Sequence, residues 1–97
     1  RDACRALGTH DLTGCVIYCS CEPCPMCLSA IYWARIEGIV YAASGADAVE
    51  AGFDDLAIAE EIGRPEERRS IPQRQELEEE GREVLRDWKE NPERVPY

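Results

Sequence analysis

CVIYCSCEPCPMCLSAIYWARIEGIVYAA, residues 15–43, decides how this chain folds. Residues 15–20 are a short apolar run with β-branched and aromatic side chains, as a buried strand requires. Pro23 and Pro25 follow, and proline suits the first turn of a helix, where the N–H it lacks would have no intrahelical partner. The pattern predicts a helix over residues 23–35 and a second buried strand over 38–43. Strand, helix of about a dozen residues and strand make a βαβ unit, so the two strands are expected to run parallel.

On the N-terminal side, residues 1–7 read as the last turns of an amphipathic helix closed by Gly8, and GTHDLTG (8–14) as a turn-rich connector. A chain that opens inside an element, without an initiating Met, is expected to be the C-terminal portion of a longer domain. On the other side, residues 45–52 read as a small-residue loop or short turn and FDDLAIAEEIG (53–63) as a short helix. RPEERRSIPQRQEL mixes charge with proline and predicts an exposed crossing segment, with a short strand weighed around Ile71. Residues 77–93 predict an acidic amphipathic helix whose apolar stripe is Leu77, Val84, Leu85 and Trp88; the last four residues, RVPY, are expected to be extended.

Ninety-seven residues allow one domain with a small core, and 44% hydrophobic residues mark it as globular. No apolar run approaches the roughly 18 residues of a membrane helix. Eleven basic against twenty acidic residues give a net charge of −9. A protein that grips polyphosphate carries a basic footprint, so the balance argues against tRNA or DNA and permits a small neutral substrate. With no secretory signal, the six cysteines read as reduced thiols in a cytoplasmic protein.

Four of those cysteines fall within residues 19–27, CSCEPCPMC. A redox pair is one reading of Cys24-Pro-Met-Cys27, because a helix N-terminus lowers thiol pKa; it predicts a reversible disulfide and no metal. An iron–sulfur cluster would use Cys21, Cys24 and Cys27 but needs a fourth cysteine that does not follow. A four-cysteine structural zinc site needs a second CxxC pair. The remaining reading places Cys24 and Cys27 on one face of the first helical turn, as two ligands of a zinc with room for one more protein ligand and a water, the open position of a hydrolytic site.

P-C-x-x-C is the second half of the zinc nucleobase-deaminase signature, whose first half is H-x-E. CEPCPMCLSAIYWARIEGIVYAA resembles the zinc-binding helix and following strand of the cytidine deaminase-like superfamily, and DAVEAGFDDLAIAEEI with the terminal Tyr resembles the small bacterial guanine deaminases. The resemblance spans essentially all 97 residues. It implies a three-layer α/β/α mixed sheet, present here only as its C-terminal part: the βαβ unit plus C-terminal helices. It implies Zn2+ held by Cys24 and Cys27, and hydrolytic deamination of a purine base, most simply guanine to xanthine plus ammonia. Asp55 would hydrogen-bond the purine and assist proton transfer, Trp33 would wall the pocket, and Tyr97 would stack over the base in a homodimer with exchanged C-terminal segments. H-x-E is absent from these residues: His10 is followed by Asp11 and Leu12 and does not match. The third zinc ligand and the glutamate general acid/base are therefore expected upstream of residue 1, and this chain alone is expected to be inactive.

Plainer roles stand beside these. Cys19 and Cys21 read as packing residues, with Cys21 a substitute ligand where the histidine is absent, Cys4 and Cys15 as buried small hydrophobes and His10 as a turn residue. Trp33 could be core, Asp54 a helix cap, Asp55 a first-turn acid that the helix dipole favours, and Tyr97 a frayed terminus. Glu78, Glu79 and Glu80 read as a solvated helix face. The alternatives in function are a tRNA adenosine, cytosine or cytidine deaminase, a non-catalytic zinc-stabilised dimerisation module, and a thiol oxidoreductase.

Overall fold

Val16–Cys21 forms β1 and Gly38–Ala43 forms β2, and the two pair in parallel with Ile17 opposite Ile39 and Cys19 opposite Tyr41. They belong to a computed structural model that describes residues 1–96. Its chain divides into two units, one of Arg1–Arg64 and one from Pro65 onward.

In the first unit, α1 (Asp2–Leu7) stops at Gly8, whose φ of 67° lets its N–H turn back to the Cys4 carbonyl. The crossover between the strands is α2 (Pro25–Trp33), shorter at both ends than the expected 23–35. Its start is set by proline chemistry: Pro25 occupies the first helical position and holds Cys24 extended, at φ −62° and ψ 164°. Its end is set by Arg35, a non-glycine residue at φ 60°. There the Arg35 N–H donates to the Tyr32 carbonyl at 3.1 Å and the Ile36 N–H to the Ile31 carbonyl at 3.3 Å, the paired bonds of a Schellman turn. Two further backbone bonds tie the crossover back to the sheet, from Leu12 N–H to Ala34 O at 2.8 Å and from Glu37 N–H to Cys15 O at 3.0 Å.

After β2 come α3 (Gly45–Glu50) and α4 (Asp55–Gly63). The expected loop over 45–52 is thus a helix for most of its length. Ser44 accepts from the Asp47 N–H while the Asp47 carboxylate accepts from the Ser44 N–H, so two of the donors at that helix end are satisfied reciprocally. Leu12, Ile31 and Ala48 are the buried apolar residues. The strands are not buried on both faces as expected. Ile17, Cys19 and Cys21 are half-covered, whereas Val16 and Tyr18 project to solvent from the opposite face, Tyr18 with 77% of its surface accessible. Cys4 and Cys15, expected to be buried, are likewise only half-covered.

The second unit holds a 3₁₀ turn, Glu66–Arg68, and α5 (Glu78–Glu90). No strand forms around Ile71; Pro72 follows it directly, and a strand needs a hydrogen-bonding neighbour that this segment does not find. Helix α5 begins after Leu77 in a left-handed conformation. Arg82 pairs with Glu78 and, at 2.8 Å, with Glu79, one turn back on the polar face. Val84, Leu85 and Trp88 form the exposed apolar stripe, and the Arg94 guanidinium lies over the Trp88 ring at 5.8 Å. Among the described residues, no helix is long and apolar enough to cross a membrane.

Candidate functional site

At the carboxyl end of β1 the chain leaves the sheet through Cys21, Glu22 and Pro23 and enters α2 at Cys24. The extended Cys24 and the first-turn Cys27 bring their two sulfurs together over the opening of the helix. Backbone N–H groups of Cys27, then the Cys27 thiol, and further the Met26 N–H face the Cys24 sulfur and hold its thiol below the ordinary range. The approach falls short of a full capping hydrogen bond. Cys27 moves the other way: its S–H is engaged by Cys24 and the neighbouring negative charge disfavours a second thiolate. The pair therefore ionises at Cys24 first.

Asp55 opens α4 and is half-buried. Its charge opposes ionisation of both thiols, as the smallest of the influences on them, and it lines the same cavity. Asp54 takes the capping position before it, although its side chain makes no capping bond. A cavity of about 860 Å³, mostly apolar, is lined by Cys19, Cys24, Cys27, Phe53 and Asp55 among others. One wall thus carries two soft metal donors, a carboxylate and an aromatic ring.

Trp33 is not on that wall. It ends α2, and a rise of 1.5 Å per residue carries it about 13 Å along the helix from Cys24 and about 9 Å from Cys27. Tyr97 lies outside the described residues. Phe53 was not singled out from the sequence; the one available signal was its position before the Asp54-Asp55 pair.

Two adjacent thiols, one of them favoured as thiolate, fit zinc as half of a tetrahedral donor set. Among the described residues, no group of three or more His, Cys, Asp or Glu side chains is arranged to hold a metal ion. Cys21 instead turns its S–H toward the Ser44 carbonyl, 3.9 Å away.

Comparison with known proteins agrees with this chemistry. The family described as the cytidine and deoxycytidylate deaminase zinc-binding region matches residues 1–43, which makes zinc the cofactor of the region. The chain is 58% identical over 72 residues to the guanine deaminase of Bacillus subtilis, a match covering 74% of this chain and 46% of that protein. It is 48% identical over 42 residues to the tRNA-specific adenosine deaminase of the same organism, covering 43% of this chain and 26% of that one. The X-ray structure of guanine deaminase from Bacillus subtilis superposes with a TM-score of 0.89 at 47% identity, over the whole of this chain and 62% of the other. The α/β fold is therefore that of the guanine deaminase structure. The chain spans about half the length of the curated guanine deaminase it matches.

Proposed function

We propose that this chain, whose residues 1–43 match the cytidine and deoxycytidylate deaminase zinc-binding region, is the C-terminal portion of a zinc-dependent aminohydrolase acting on a purine base, converting guanine and water to xanthine and ammonia. The observation that carries the reading is the convergence of Cys24, Cys27 and Asp55 on one cavity at the carboxyl end of β1. Ligands of open α/β sheets bind at the carboxyl ends of the strands, which supports substrate entry there.

Cys24 and Cys27 would hold the zinc. When bound, zinc lowers the pKa of a coordinated water, making a nucleophile available near neutral pH. Asp55 would accept a hydrogen bond from the purine and move a proton between water and the departing amine, and the apolar wall would exclude bulk water around it. The third zinc ligand and the glutamate acid/base of an H-x-E motif would come from chain outside these 97 residues, leaving this portion inactive by itself. A cytoplasmic homodimer with exchanged C-terminal segments, and with Tyr97 over the base, completes the reading; the exposed apolar stripe of α5 supports a helix that an assembly covers.

The test is a guanine-to-xanthine assay with ammonia quantified, on purified full-length protein of measured zinc content, with cytosine, adenosine and a tRNA anticodon stem-loop as competitors. Guanine turnover, lost in Cys27→Ser, is the expected result. Stoichiometric zinc with no turnover of any base would replace the enzyme by a zinc-stabilised module.

A further inference from the structure

Glu22 lies between the zinc-ligand loop and α3, and no role above uses it. Its backbone N–H donates to the Ala43 carbonyl at 2.8 Å, extending the parallel ladder by one bond beyond β1 and β2. Its carboxylate Oε2 accepts from the Gly45 N–H at 2.6 Å. Gly45 is buried at the start of α3, where the first N–H groups of a helix have no intrahelical acceptor. The Ser44–Asp47 box satisfies the N–H groups of those two residues, and the Gly45 N–H goes to Glu22.

On the side where Gly45 would carry a Cβ there is little room. A Cβ on Gly45 would come within 3.1 Å of Leu56 Cδ2 and 3.2 Å of Glu22 Oε2. Leu56 is the next residue after Asp55. Gly45 thus sits close to both the carboxylate two residues before Cys24 and the residue that follows Asp55.

We propose that Glu22 is a positioning residue: through Gly45 it holds the Cys24–Cys27 loop at a set distance from Asp55. The consequence for turnover rests on the deaminase reading above; the bond and its effect on the metal site do not. A misplacement of about 1 Å at a reacting centre lowers turnover on the order of a hundredfold, whereas substrate affinity depends on contacts elsewhere in the cavity. Losing Glu22 should therefore lower kcat and spare KM.

Three variants of the full-length, zinc-loaded protein test this. Glu22→Gln keeps an acceptor oxygen at the same reach, Glu22→Asp keeps the charge but withdraws it by one methylene, and Glu22→Ala removes both. The expected result is a kcat reduced about 10- to 100-fold in Glu22→Asp and Glu22→Ala, with KM little changed, and recovered in Glu22→Gln. In cobalt-substituted protein the visible thiolate–metal bands should shift in Glu22→Asp and Glu22→Ala and return in Glu22→Gln. Exchange of the Gly45 amide in metal-free protein should quicken in the same two variants. Should Glu22→Ala not fold, Glu22→Asp carries the comparison. Unchanged kcat and cobalt bands in a folded Glu22→Asp variant would overturn the proposal, as would equal impairment of Glu22→Gln. If the unmutated protein deaminates nothing, the functional reading fails, and the cobalt bands with Gly45 exchange still decide the role of Glu22.

Discussion

Replacing Arg35 with glycine should stabilise the protein without touching its chemistry. Arg35 sits at φ 60° because the Schellman turn that ends α2 needs a left-handed residue at this position. An L-residue there costs roughly 1–2 kcal/mol relative to its right-handed conformation. Glycine removes that strain but brings back about 0.5–1 kcal/mol through the greater freedom of the unfolded chain. The difference favours Arg35→Gly by about 0.5–1 kcal/mol, or a Tm higher by roughly 2–8 °C in a domain of this size. The Arg35 charge is the weakest of the influences holding the Asp11 carboxyl low, behind the hydroxyl and N–H of Thr13, so its loss subtracts little. Cys27 lies on the first turn of α2, at the opposite end from Arg35, and zinc content should stay constant. Scanning calorimetry of the full-length variant beside the unmutated protein is the assay, with zinc measured by mass spectrometry. A lower Tm would refute the reasoning, since the arginine side chain would then contribute more than its backbone conformation costs.

Asp55→Asn should lower kcat by on the order of 10²–10⁴ while zinc stays bound, as loss of a proton-transferring group does; activity within a few-fold of the unmutated protein in a steady-state assay would remove Asp55 from the chemistry. Cys24→Ser and Cys27→Ser should each weaken zinc by more than about 100-fold, read by competition with a chromogenic chelator, because even indirect supports of a ligand contribute 10–100-fold. Stripping zinc from the unmutated protein should lower its Tm, and adding zinc back should restore it. The Asp47 carboxyl is held below its ordinary 3.8 by the backbone N–H and then the hydroxyl of Ser44, so its contribution to α3 is fully present above that pH and disappears as pH falls through the depressed folded value. Asp47→Asn should flatten the acid side of the Tm–pH curve below 3.8; an unaltered curve would assign acid sensitivity to other groups.

Elements bounded by punctuation in the sequence were readable to the residue. Strand β2 runs from Gly38 to Ala43 as its glycine and following serine suggest, and Gly8 closes α1 by supplying a left-handed residue at no steric cost. The end of α2 carried no such mark, because the left-handed position is filled by Arg35. Helix α3 hides behind Gly45, Ala46 and Ala48, which read as a loop, although Ser44 and Asp47 stand at capping-box spacing. Ile71 shows the opposite limit, since local β-propensity forms no strand without an edge to pair with. At the site, Cys24 and Cys27 follow from spacing on one helical turn, whereas Asp55 rested on resemblance because it reaches the thiols from another element. Glu22 had no local signal at all: its partner lies 23 residues further along the chain.

Pro25 stands between the two thiols, and this has an entropic consequence for metal uptake. Its ring fixes its own φ and disfavours the helical region for Cys24, so part of the backbone freedom of the Cys24–Cys27 loop is withdrawn before any ion arrives. A loop that must be ordered by its metal gives up part of the binding free energy to immobilise itself; here the proline removes part of that cost in advance. If Cys24 and Cys27 hold the zinc as proposed, its capture should need less ordering of this loop than it would without the proline.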